Sequence, residues 1–145
     1  MRTVSQLLEA VQNLDMQFII EDTLINATPQ YVKLQKDQLA EGLKSDGEKI
    51  FNIKTGSDQY SPSYAKYKGK SSPIDLHDKG DYYEGIFVDV RTDEMVIASA
   101  DPKSQKLEEN YSPQILGLDD ENLQDWADGE VHQDFINAIR ETVNL

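Results

Sequence analysis

The chain contains no cysteine. Disulfide cross-links, thiolate nucleophiles and cysteine-ligated zinc are therefore excluded. No apolar run reaches the about 18 residues that a membrane-spanning helix needs. The opening residues Met1 to Gln6 carry neither the charged nor the apolar stretch of a secretory leader, which predicts a protein kept in the cytoplasm that makes it. Positive charge is scarce. Against 27 acidic residues there are 14 basic ones, a net charge of −13, and such a background disfavours a groove that wraps nucleic-acid phosphates. Apolar residues are also few, at 38%, which predicts either a thin core or burial against other subunits.

Catalytic chemistry finds little to work with. His77 and His132 are the only histidines. His77 lies in Asp75-Leu76-His77-Asp78, where a carboxylate could orient an imidazole base, but a lone loop histidine among acids is more often simply solvated. No His-x-x-x-His pair is present for zinc, and no glycine-rich phosphate loop. Asp78 and Asp81 flank Lys79-Gly80 without the alternating oxygen ligands of a calcium loop. The residues therefore predict no catalytic site, no metal site and no cofactor. The acidity itself has two readings: solubility, or repulsion of nucleic acid from a channel wall, with DNA mimicry as the extreme form.

What is present reads as one domain of 145 residues, α+β in class. An N-terminal helical pair is expected over residues 1–45, a loop and small antiparallel sheet over 46–100, and a C-terminal helical part over 101–145. Val4, Leu7, Val11, Leu14 and Phe18 recur at helical spacing, with Leu8, Ile19 and Ile25 widening the stripe. They predict an amphipathic helix over residues 4–25, facing the core or another subunit. Thr28-Pro29 predicts a restart, since Pro suits the first position of a helix, and Ser45-Asp46-Gly47 a stop. Ile50 to Ile53 could form a short strand. Ile86–Val90 and Met95–Ser99 alternate in polarity around a short loop, Arg91 to Glu94, and predict a β-hairpin. Asp101-Pro102 can open a short helix that Ser112-Pro113 ends. Asp119 is the expected cap of a long final helix, with Gly129 as a possible interruption. Phe135 and Ile139 are its expected core residues.

The run from Lys54 to Pro73 is long for an irregular connection. It gathers Tyr60, Tyr64, Lys66, Tyr67, Lys68 and Lys70 on an otherwise acidic chain. Tyrosines and lysines in this pattern suit stacking on nucleic acid or anchoring of a protein interface, and the overall charge favours the interface. A loop folded over its own subunit is the plainer alternative.

These parts follow a recognisable order. Tyr60-Ser61-Pro62-Ser63-Tyr64-Ala65-Lys66-Tyr67-Lys68 matches a Tyr-x-Pro-x-Tyr-x-x-x-Lys segment. Leu76-His77-Asp78-Lys79-Gly80-Asp81-Tyr82 follows the outline of a Leu-x-x-Thr-Gly-x-Leu/Phe turn, with Lys79 in place of Thr. The hairpin comes next, then Ile115-Leu116-Gly117-Leu118 before the last helix. The pattern resembles small virion proteins of tailed bacteriophages, of the neck, head–tail connector and tail-completion families. The resemblance implies a structural protein of the particle, assembled in the host bacterial cytoplasm and working as a homo-oligomeric ring around the DNA channel. Its partners would be other neck, portal or tail proteins. Membrane association and specific nucleic-acid binding are not implied, only closeness to packaged DNA. Gly80 and Gly117 then act as structural turns, which glycine serves through its access to positive φ. Two other functions compete: an acidic DNA mimic that inhibits a host protein, and a small hydrolase built around His77.

Overall fold

The computed structural model describes residues 3–92 and 94–143. The chain is α+β: two N-terminal helices, a two-stranded antiparallel sheet and a long C-terminal helical rod. The first helix, α1 (Val4–Gln12), opens on a capping box in which the Thr3 hydroxyl accepts from the Gln6 backbone N–H and the Gln6 side chain accepts from Thr3 N–H. It ends at Asn13, and Asp15 caps the next helix by accepting from Phe18 N–H at 3.1 Å.

The helical pair is present, but its break falls at residues 13–15 and not at Thr28-Pro29. Helix α2 (Met16–Ala40) runs straight through Pro29. Proline has no N–H for the carbonyl four residues back, here that of Ile25. The Thr28 hydroxyl donates to that carbonyl at 2.8 Å instead, so the gap in the ladder is filled locally. The helix stops at Ala40, ahead of the expected Ser45–Gly47 turn. No helix among the described residues is long and apolar enough to cross a membrane.

Helix α2 buries a line of residues four apart: Ile19, Thr23, Ala27, Tyr31, Gln35 and Leu39. Residues at this spacing lie above one another on a helix face. The apolar stripe expected for residues 4–25 is, by contrast, largely in solvent. Val4 is 84% exposed, Leu8 56% and Phe18 64%. The core-facing orientation therefore does not hold for this stripe. Helix α1 buries no residue, and its contacts are with the end of the C-terminal rod.

After Ala40 the chain makes a long excursion before returning to α2 at Gly117. Residues 50–53 form no strand: Ile50 is buried, but the chain turns at Asn52, whose carboxamide oxygen accepts from Lys54 and Thr55 N–H. A short helix α3 (Pro62–Lys68) and a single turn α4 (Asp81–Glu84) come next. The hairpin forms as expected, with β1 (Ile86–Val90) antiparallel to β2 (Met95–Ser99) and Val88 opposite Ile97. Arg91 N–H to Glu94 O closes it at 2.8 Å; Asp93, in that loop, lies outside the described residues. Helix α5 (Ser104–Tyr111) ends at Ser112-Pro113, where a 3-10 turn leads to Gly117.

Gly117 has φ +114°, and a Cβ there would stand 3.1 Å from Ser45 Cβ. The turn needs glycine on both counts. Asp119 caps helix α6 (Asp120–Trp126) by accepting from Asn122 N–H at 2.9 Å. A wider, π-type turn over Ala127–Val131 contains Gly129 and joins α6 to α7 (His132–Val143). The rod runs antiparallel to α2: Gln38 meets Asp119 and Asn122, while Ala27 meets Trp126. Its buried anchors are Trp126 and Val143. Phe135 and Ile139, expected in the core, are only half-buried, although they share a face of α7 with buried Val143, as residues four apart on a helix do.

The core has two parts. One gathers Leu39, Ile50, Ile74, Leu76, Tyr82, Ile86 and Ile115. The other gathers Ala27, Tyr31, Leu118 and Trp126, with Val88, Met95 and Ile97 packed on it. The hairpin serves both. Tyr31 and Trp126 meet edge-to-face at 5.1 Å, and Trp126 Nε1 donates to the Ala27 carbonyl at 2.9 Å.

Gln38, fully buried, donates to Gly117 O and accepts from Asp119 N–H and the Asn122 carboxamide, all at 2.8–3.0 Å. Gln38→Leu keeps the approximate volume and strands these groups. Each buried polar group left without a partner costs about 1–3 kcal/mol. The expected loss is about 2–4 kcal/mol in denaturant unfolding, and an unchanged midpoint would show that the ladder does not hold the rod.

Candidate functional site

The Lys54 to Pro73 segment is ordered by its own capping groups. The Ser61 hydroxyl accepts from Tyr64 N–H, Pro62 occupies the first turn of α3, and Gly69 closes it with positive φ. The seven-residue helix carries Tyr64 and Tyr67, and Tyr60, just ahead of it, joins them in a row with ring centroids 4.9 Å and 5.9 Å apart in succession. Tyr60 N–H bonds Ser71 O at 2.8 Å, which joins the two ends of the segment.

Asp75 holds this segment to the core. Its carboxylate pairs with Lys68 at 3.0 Å and with Lys70 at 2.6 Å, and it accepts from Tyr60 Oη and from His77 N–H, each at 3.1 Å. The Tyr60 hydroxyl oxygen in turn accepts from the N–H groups of Asp75 and Leu76. Tyr83 Oη donates to the Asp75 carbonyl at 2.5 Å, and Lys68 Nζ also reaches the His77 carbonyl. Leu76 is caught in the middle with φ +58°, a conformation costly for a branched side chain. Its side chain is buried in the core, so the surrounding bonds hold the strain.

Burial by itself would raise the Asp75 pKa. The hydrogen bond from Lys70, the His77 N–H and the approach of Lys68 outweigh it and bring the pKa down to about 2. The Tyr60 and Tyr83 hydroxyls are pushed up, first by burial and then by the charge on Asp75. Both remain protonated donors in the physiological range.

The six residues singled out in the sequence therefore divide. Tyr60 and Tyr64 are half-buried against their own chain. Lys68 and Lys70 are engaged by Asp75. Lys66 and Tyr67 face solvent, Tyr67 with 71% of its surface exposed. Gly80 takes φ +90° at the start of α4, as expected of a structural turn. Asp75 does not orient His77 as a base: it accepts from the backbone N–H, and the imidazole packs edge-to-face on Tyr83 at 4.9 Å. No group of three or more His, Asp or Glu side chains among the described residues is placed to hold a metal ion.

Beside this knot lies a cleft of about 850 Å³, between the tyrosine segment and α5. Ile74, Leu76 and Tyr82 form its floor, Tyr60, Tyr64 and Tyr111 its walls, and Lys79, Lys103 and Lys106 lie at its lip. The size is that of sites which bury a ligand or an inserted side-chain cluster, roughly 300–1,000 Å³. The sequence singled out one wall of the cleft. The other comes from α5, far along the chain, with no local signal to connect them.

Asp75→Asn leaves two lysines without their anion, one of them nearly buried. Breaking a buried pair costs roughly 3 kcal/mol or more, and that is the loss expected at neutral pH. Because the folded pKa of Asp75, about 2, lies below the ordinary 3.8, its contribution is complete above about pH 4. It fades as the pH falls towards about 2. The stabilities of the native chain and the variant, followed by urea unfolding, should converge over that window, and a difference independent of pH would overturn the assignment. No protein-family model, curated protein or solved structure matches the chain.

Proposed function

We propose that the chain is a structural or assembly protein of a tailed-bacteriophage particle, a neck or tail-completion component that forms a ring around the DNA channel. The observation that carries this reading is the bare apolar face at the N-terminus. Val4, Leu8, Val11 and Phe18 are exposed on α1 and the first turn of α2, although Thr3 and Asp15 cap those helices well. Monomeric proteins seldom leave a contiguous apolar patch of this kind in water, and such patches mark contacts with other chains.

The order of motifs through the tyrosine segment, the Gly80 turn, the hairpin and Gly117 supports the same reading. The virion would then be its location and neighbouring neck, portal or tail proteins its further partners. The net charge of −13 suits a wall beside packaged DNA, since like charge prevents adhesion. No chemical step is assigned to the protein.

Sedimentation velocity and native mass spectrometry test the assembly. The expected species is a multiple of the 16.4 kDa chain. Leu8→Glu with Phe18→Glu should reduce it to a monomer that still folds, because neither side chain is buried in the isolated chain, and that no longer gains stability with concentration. A native chain that remains at 16.4 kDa at every concentration overturns the ring.

A further inference from the structure

We infer that the cleft beside the tyrosine segment receives α1 of a second copy of this chain, in a head-to-tail contact. This rests on the assembly reading above and identifies the two surfaces that meet.

The first argument is shape and pattern. Val4, Leu8 and Val11 stand at positions i, i+4 and i+7 of a capped helix and are all exposed. An amphipathic helix that enters a groove uses anchors at this spacing. The cleft offers an apolar floor, Ile74, Leu76 and Tyr82, between tyrosine walls. Tyrosine covers much apolar area for little lost entropy and suits such a contact.

The second argument is charge. From Thr3 to Val32 the chain has no lysine or arginine, and it carries Glu9, Asp15, Glu21 and Asp22. The lip of the cleft carries Lys79, Lys103 and Lys106, none of which forms an ion pair among the described residues. Asp78, Asp81 and Asp101 also line the cleft. Asp101 accepts the Lys103 N–H at 3.1 Å, and its charge, with that of Glu108, acts on the Tyr82 hydroxyl at the floor. The lip therefore carries both signs, and Lys103 and Lys106 are its cations for Glu9. Complementary charge of this kind sets orientation and speeds encounter.

The third argument is placement. Helix α2 has 25 residues and spans about 37 Å at 1.5 Å per residue. The cleft floor packs with Leu39 at its C-terminal end. Helix α1 precedes its N-terminal end and packs on α7, which runs back along α2 to that end. The two surfaces therefore sit at opposite ends of one molecule. A contact between different surfaces repeats from copy to copy and closes into a ring when its rotation allows.

The test uses two variants of the whole chain. The helix variant is Leu8→Glu with Val11→Glu, and the cleft variant is Lys103→Glu with Lys106→Glu. All four positions are surface ones, and circular dichroism melting verifies that each variant folds. Each alone should weaken self-association at least ~10-fold, the scale for charge mismatch at an interface. Mixed in equal amounts, they should give a one-to-one heterodimer and nothing larger, since each retains the surface that the other has lost. If the native chain assembles and the cleft variant assembles equally well, α1 docks elsewhere and only this inference fails. If the cleft variant self-associates normally and the helix variant does not, the contact is between two α1 helices, which overturns it too. A native chain that stays monomeric removes the ring reading first, and this inference with it.

Discussion

The return of the chain to α2 at Gly117–Asp119 is the constraint on which the rest of the structure depends. Three side chains on one face of α2 make it. Tyr31 Oη accepts from Leu118 N–H at 3.2 Å, Gln35 accepts from Gly117 N–H at 2.8 Å, and Gln38 holds Gly117 O and Asp119 N–H. Their spacing, 31, 35 and 38, is one helical stripe, so a single straight helix presents all three acceptors at once. Buried polar groups are costly unless paired; here the paired backbone is the segment that must cap α6. The ladder thereby fixes where the rod begins, and the rod places Trp126 on Ala27. Burial also pushes the Tyr31 pKa up, so its hydroxyl keeps its proton while its oxygen accepts.

Between Ala40 and Gly117 the chain is free to wander, and polar knots limit it more than apolar volume does. Ser45 N–H bonds Gln114 O and Ile53 N–H bonds Asn110 O, each at 2.9 Å, tying the outgoing limb to the returning one. The Asp75 knot does the same for the tyrosine segment. This matches the composition: with 38% apolar residues the core divides into two modest clusters, and charge-assisted hydrogen bonds, stronger than neutral ones, supply position where packing is thin. A consequence is that the cleft has one firm wall and one held by a few bonds, with the strained Leu76 at its base.

Features set by nearest neighbours were legible in the sequence. The hairpin shows as two short apolar runs around a polar four-residue loop, Asp119 precedes an acidic first turn, and Ser112-Pro113 removes a donor where α5 must end. The failures share a cause: each depended on a distant or unexpected partner. Pro29 looked like a helix start because the rescue of the Ile25 carbonyl by Thr28 is not visible as a pattern. The true break at Asn13–Asp15 has only a weak sign, an Asp three residues before Phe18, inside a stripe that keeps its helical period on both sides. That stripe predicted helix correctly but not its surroundings: among the described residues Ile19 is buried, while Val4, Leu8, Val11 and Phe18 stay exposed. Lys68 and Lys70 looked free because their anion, Asp75, lies across a turn and beyond Pro73. Phe135 and Ile139 lie on the inward face of α7 with Val143, but only Val143 is fully buried, which the pattern along one helix does not reveal.

The division between buried polar ladders and a bare apolar helix separates two kinds of stability. The ladders act within one chain and do not depend on concentration. The exposed face of α1 buries no residue in the isolated fold, and in the proposed assembly its contribution would come with a partner and follow mass action. A chain arranged in this way can fold first and assemble second. The capping box keeps α1 helical without a partner, so less conformational entropy would be lost in the proposed docking. Helix α2 joins the two ends as a rigid spacer, and the angle between successive copies is then set by how the short Asn13–Asp15 link directs α1 against α2. In the proposed ring that link, more than any core residue, decides whether head-to-tail contacts close into a circle or continue as a helix.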